Sequence, residues 1–428
     1  MKRIPSKGQR HMRPGAYQTV FLRPAFALAI VLAALALFAS PRFVSLFVSL
    51  DWYLGDMHTT AYVLQATFAA LFVIALLASR RINDWWFKTF PTRRHFIFAL
   101  VALSASTACA LLLVEAALRL LNLPFDEKWT PSENAIARFD PELGWSYIPL
   151  CSSVQEFGSQ RRKVAMYFDS HGNRVGKPGV EPDPTLPTVC FAGDSFTFGH
   201  GLPYEETFVG QLSAMPDFPF QAVNLGVQAY GTDQSFLRLR REYDRFNTKG
   251  VVYTFVPWQA ERNEVDDLRL FYPHNRMLGT KPQFALKRSG TLYLKRRPER
   301  FEDFFYSRVW ACVRIAETRY GPKPNLALTR ALVLAMKNFV ESRGGVFVVV
   351  AWDQGQDPKL TPGRIVFEGL KLNVIDLGTN APAGWNSWKI EGDGHPDARA
   401  NSRVARLICE EFKRSFQEWQ AARAGMRK

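Results

Sequence analysis

Cysteine is scarce in this chain, with five among 428 residues. Cys109 and Cys190 fall inside apolar runs, and Cys151, Cys312 and Cys409 keep no spacing that a metal site uses, so no metal is expected. An oxidising compartment would permit a disulfide, but the sequence does not pair them. Histidine is also sparse, seven in all, which keeps the candidates for proton transfer few. Internal repeats and low-complexity tracts are missing. So is any basic helix interleaved with stacking aromatics, and a nucleic-acid partner is therefore not expected despite a formal net charge of +15.

The positive charge has another origin. Residues 1–121 hold 13 of the 54 Lys and Arg but only four of the 39 Asp and Glu. The same region carries three long uncharged stretches, Pro24–Ser40, Thr59–Ser79 and Phe96–Val114. Each approaches the ~20 apolar residues that span a bilayer. They predict three transmembrane helices, at about 24–48, 59–79 and 96–118. A cleaved signal peptide ending near "LALFAS" competes for the first, but two further apolar segments favour an integral, multi-pass anchor over 1–121. Six cations from Lys2 to Arg23 precede the first stretch, and Arg80, Arg81, Lys88, Arg93 and Arg94 follow the second. Positive residues stay on the cytoplasmic side, so the N-terminus is expected inside and residue 122 onward outside the plasma membrane. Glu115 and Arg119, four apart on the emerging helix, read as a surface ion pair.

Beyond the anchor, residues 122–186 are rich in Pro, Gly and charge and read as a linker and preamble. Residues 187–424 then alternate short apolar runs with helical patterns. The predicted strands are Thr188–Ala192, Ala222–Leu225, Val251–Val256, Val346–Ala351 and Asn373–Leu377. The last helix aligns Val404, Ile408, Phe412, Phe416 and Trp419 on one face. Continuously apolar strands between helices imply a parallel sheet covered on both faces. Residues 268–325, basic and aromatic with little periodicity, read as an insertion.

The run "TVCFAGDSFTFGHGL" ends its strand on Gly193-Asp194-Ser195, where such sheets gather reactive groups. The G-x-S-x-G elbow is absent. His395, in "EGDGHPDARANSRVARL", leaves the last strand region and can reach the same sheet edge. Asp393, two residues before it, is the expected partner that fixes its tautomer, with Glu391 as rival. His200 lacks an acid nearby in sequence and reads as a cleft residue. Asp194 reads as a brace of the turn.

"FAGDSFTFG" resembles the first block of the SGNH, or GDSL-type, hydrolases, in which the serine is the nucleophile. "DGHPDARANSRVA" resembles their last block and "VNLGVQAYGTDQ" their second, over roughly residues 140–420. The resemblance implies a three-layer α/β/α sandwich with a mainly parallel five-stranded sheet. It implies Ser195 as nucleophile, His395 as base and Asp393 as orienting acid, with no cofactor. The chain departs from the family in the third block, which normally supplies an asparagine. Here "VVYTFVPWQAERNEVDD" offers Gln259 or Asn263 as the amide of the oxyanion hole, beside the Ser195 N–H and the Gly231 region. In the second block Ala229 falls at the glycine site. The expected activity is a serine esterase acting on acyl groups of a cell-envelope or exported glycan or a small ester. Transfer of the acyl group to a sugar, or glycan binding without catalysis, are the alternatives.

Overall fold

The computed structural model describes residues 28–33, 54–89, 93–125, 136–272, 277–301, 307–320, 326–354, 361–379 and 381–426. They form two compact units, 1–124 with 307–320, and 125–306 with 321–428.

The first unit contains the helices Leu54–Leu77, Ser79–Thr89, Arg93–Leu120 and Arg308–Tyr320. Among the described residues one helix, Ile97–Leu120, is long and apolar enough to cross a membrane, with a mean hydropathy of 2.4. Gln65–Leu77 and Ser79–Trp86 would make a second span only if counted as one, across a 67° bend. Of the three expected transmembrane helices, the third, at about 96–118, is matched by Ile97–Leu120, and the described residues do not show three. Past the bend Arg80, Arg81, Asp84 and Lys88 interrupt the apolar pattern. The first expected span lies outside the described residues except for helical residues 28–33. Glu115 does pair with Arg119, at 2.8 Å. Its carboxylate also accepts from Ser307 Oγ and from the N–H groups of Arg308 and Val309, so it caps the helix Arg308–Tyr320. Part of the expected insertion therefore belongs to this unit.

Among its described residues the second unit has twelve strands: β1 Ala137–Asp140, β2 Gly144–Tyr147, β3 Ser152–Phe157, β4 Arg162–Phe168, β5 Arg174–Val175, β6 Pro187–Ala192, β7 Gln221–Asn224, β8 Asn247–Phe255, β9 Gln283–Leu286, β10 Leu292–Arg296, β11 Val346–Ala351 and β12 Asn373–Asp376. Eight of them make the main sheet, in the order β12-β11-β8-β6-β7-β5-β4-β3. The sheet is mixed and not the mainly parallel five-stranded one expected. The contacts from β12 to β7 are parallel, and those from β7 through β5 and β4 to β3 antiparallel. The added strands come from the Pro- and Gly-rich preamble. β3 is polar and half exposed, with Gln155 and Phe157 buried and Val154 and Glu156 exposed, the alternation of a strand with one wet face.

Its helices are α1 Ser195–Phe198, α2 Phe208–Ser213, α3 Thr232–Glu242, α4 Trp258–Glu264, α5 Leu326–Ser342, α6 Gly363–Val366 and α7 Ala398–Met426. Val189, Phe191, Val252, Val348 and Val350 point to one face of the sheet and pack with Phe208 of α2 and Val404, Ile408 and Phe412 of α7. Strand alternation turns Cys190, Val251 and Val349 the other way, where they are equally buried. On α3 and α5, Phe339 meets Phe236 and Tyr243 with ring centroids 6.3 and 5.3 Å apart. Helices so cover both faces and leave the carboxyl ends of the parallel strands to build a site.

Candidate active site

Ser195 opens α1 three residues after β6, so strand and helix hold its backbone from both sides. Asp194 is the N-cap and accepts from the Phe196 N–H at 3.1 Å. Its other oxygen accepts from Trp258 Nε1 and Arg262 Nη1, each at 3.0 Å. Fully buried, it braces the turn, as its place in the motif suggested. The loop after β7 approaches so closely that a Cβ on Gly226 would stand 2.3 Å from the Phe198 nitrogen, and only glycine fits there.

His395 comes from the loop before α7. A backbone bond from Ile390 N to His395 O at 2.7 Å closes that loop, and Gly394, with φ +88°, folds Asp393 back onto the histidine. Asp393 Oδ1 accepts from the Nδ1–H of His395, which leaves Nε2 as an acceptor 2.9 Å from Ser195 Oγ. The structure thus brings Ser195, His395 and Asp393 together. Glu391 is turned away, bonded to Gln160 at 3.0 Å.

His200 departs from the sequence reading, because it does have an acid. Its Nε2 stands 3.2 Å from Asp393 Oδ2, the oxygen His395 does not use. Burial raises the Asp393 carboxyl, but the hydrogen bonds and charge of the two imidazoles outweigh it and hold the group well below the usual carboxylate range. Donor atoms of His200, Asp393 and His395 lie within 4.8 Å of one another, near enough for a metal ion, although each imidazole nitrogen already has a hydrogen-bond partner.

The expected oxyanion donors are not brought to the serine. Gly231 gives its N–H to Gln234 Oε1 at 3.1 Å. Gln259 is fully buried between Tyr253 OH and Thr254 O. Asn263 spends its amide on Thr232 and Thr329, and its oxygen on the N–H groups that begin α3. A cavity of about 410 Å³ in front of Ser195 is lined instead by Phe196, His200, Gln228, Ala229, Trp258, Arg262, Tyr272 and the 393–395 loop. Ala229 holds φ +63°, a conformation that costs an L-residue about 1–2 kcal/mol. Its neighbour Gln228 is clamped from β2, its carbonyl accepting from Trp145 Nε1 and its N–H donating to Tyr147 OH, both at 3.1 Å.

No family model matches the chain. No curated protein matches it. Solved structures similar to it include the lipase/acylhydrolase from Enterococcus faecalis, 15% identical with a TM-score of 0.32, covering 53% of this chain and 95% of that one. Another is a member of the lipolytic protein G-D-S-L family from Veillonella parvula, 16% identical with a TM-score of 0.30, covering 53% of this chain and 98% of that one.

The residue that sequence reasoning missed is Arg262. Its Nη2 donates to Tyr272 OH at 2.8 Å and its Nη1 to Asp194 and to Tyr230 O, while its Nε has no partner. Burial works against the charge, but Tyr272 and Asp194 outweigh it and raise the guanidinium pKa. The signal was helical phase. Once 258–264 is a helix, Trp258 and Arg262 share one face by their spacing of four, and Gln259 and Asn263 share another.

Proposed function

We propose that the protein is a serine ester hydrolase whose nucleophile is Ser195. The observation that carries this reading is the chain Ser195 Oγ, His395 Nε2, His395 Nδ1, Asp393 Oδ1 at the edge of a cavity of about 410 Å³, a size suited to a small ligand. Ser195 Oγ attacks the ester carbonyl as its proton passes to His395 Nε2. The tetrahedral oxyanion collapses, the imidazolium gives the proton to the leaving alcohol oxygen, and an acyl-serine remains. Water then attacks, again losing its proton to His395, and the carboxylic acid leaves as Ser195 recovers its hydrogen. In place of the amides expected from the sequence, the Ser195 and Ala229 N–H groups and Arg262 hold the oxyanion. All three residues line one cavity. The aromatic faces of Trp258 and Tyr272 beside Gln228 support an acylated sugar as substrate. A fluorophosphonate probe on the intact protein should label wild type at Ser195 and leave Ser195→Ala unlabelled. Wild type left unlabelled would reject the reading.

The helix Ile97–Leu120 is proposed to anchor the chain with the catalytic unit outside the cytoplasm, because Arg80, Arg81, Lys88, Arg93 and Arg94 all precede it. A reporter enzyme fused after residue 125 should be active only if it is of the kind that works outside the cytoplasm. Activity of a cytoplasm-only reporter there would reverse the orientation.

A further inference from the structure

His200 enters neither the proton transfer nor the oxyanion hole, yet it is built into the site with care. Buried Arg174 donates to the carbonyl oxygens of Phe198, Gly199 and Leu202, on either side of it, and its own N–H bonds Ser195 O at 3.0 Å. The Phe157 ring meets it edge-on at 4.6 Å between centroids. Gln228 Nε2 stands 2.6 Å from its Nδ1. An amide N–H can only donate, so Nδ1 accepts, and the proton of a neutral His200 sits on Nε2, aimed at Asp393 Oδ2. Across the same carboxylate lies His395, its ring stacked on His200 at 4.1 Å between centroids and 29° between planes.

We propose, on the footing of the serine-hydrolase reading, that His200 is a positioning residue acting through Asp393. Its Nε2–H occupies the second carboxylate oxygen, so the acid cannot rotate away from His395. By accepting that hydrogen bond Asp393 also offers less charge to the His395 imidazolium. Both effects hold the His395 ring with Nε2 turned to Ser195 Oγ, ready to accept its proton. The other charged or titratable groups lining this cavity are Arg262 and Tyr272, with Asp194 behind Arg262. The β3–β4 hairpin contributes the uncharged Phe157.

The sign follows. Removing His200 frees Asp393 to pair more strongly with the His395 imidazolium, so the titration of the His395 ring should move to higher pH in the variant. The test uses the full chain in detergent with 13C-histidine, following the His395 ring titration in wild type, His200→Ala and His200→Gln, beside kcat and KM on a p-nitrophenyl ester. Glutamine keeps an N–H donor near the position of Nε2. Expected are a raised midpoint and roughly tenfold lower kcat at unchanged KM in His200→Ala, with both restored in His200→Gln. An unmoved midpoint in His200→Ala overturns the proposal whatever the rate does, and so does a midpoint that glutamine does not restore. The titration needs no turnover: an inactive wild type with a shifting midpoint would strike the hydrolase reading and leave the His200 coupling standing.

Discussion

Replacing Asp393 by asparagine is expected to lower kcat roughly 10⁴-fold, with little change in stability. The substitution keeps shape and removes charge, and the two imidazoles make it unforgiving. If the amide nitrogen turns to His395, two donors face each other, the tautomer flips, and Nε2 can no longer accept from Ser195 Oγ. If it turns the other way, it faces Nε2 of His200, whose Nδ1 already accepts from Gln228. One imidazole is mismatched in either orientation, so no rearrangement confined to the side chain restores the wild-type hydrogen bonds. The acid is held well below the usual carboxylate range and stays ionised through neutral and mildly acidic pH, so the loss should be pH-independent there. The comparison is kcat on a small ester for Asp393→Asn and wild type, with thermal unfolding of both. Activity within tenfold of wild type would remove Asp393 from the mechanism.

Arg262→Met should do two things at once. It leaves Asp194, fully buried, without its cation, and breaking a buried ion pair from one side costs about 3–5 kcal/mol. In a domain of this size that is roughly 10 °C in Tm. It also removes a proposed oxyanion donor, which typically costs about 10²–10³ in kcat. Trp258 Nε1 still bonds Asp194, so the turn should survive and the folded fraction should be measurable. Arg262→Lys separates the two effects, because it keeps a charge beside Asp194 and loses the fork that reaches Tyr272. Its stability loss should be the smaller, and its kcat loss comparable. Wild-type kcat in a destabilised Arg262→Met would assign the arginine to the fold alone.

What could be read from the sequence was local. Five apolar runs mark the strands that meet in parallel, and the serine, its histidine and its acid each sit in a short motif beside a strand or helix end. What could not be read depends on distance or phase. The acid that holds His200 lies 193 residues further along the chain. Gln259 and Asn263 looked available because they follow the third strand, and the helix that forms there turns them into the core. The preamble strands escaped because their stabilisation comes from pairing with one another and with β7, while β3 is polar and half exposed and β5 has only two residues. In the first unit, the second apolar run leads through a 67° bend into the charged helix Ser79–Thr89, a break that an uncharged run does not reveal.

Because β5 pairs with β7 at Arg174 and Asn224, the preamble also sets where the catalytic unit can be cut. A fragment starting at β6 would bare one side of β7 as an open edge, with unpaired N–H and C=O groups inviting intermolecular strand addition. It would also lose Arg174, and with it the grip on the chain that carries His200. Recombinant versions that begin at the Gly-Asp-Ser strand should therefore aggregate, and soluble ones must start before Ile136.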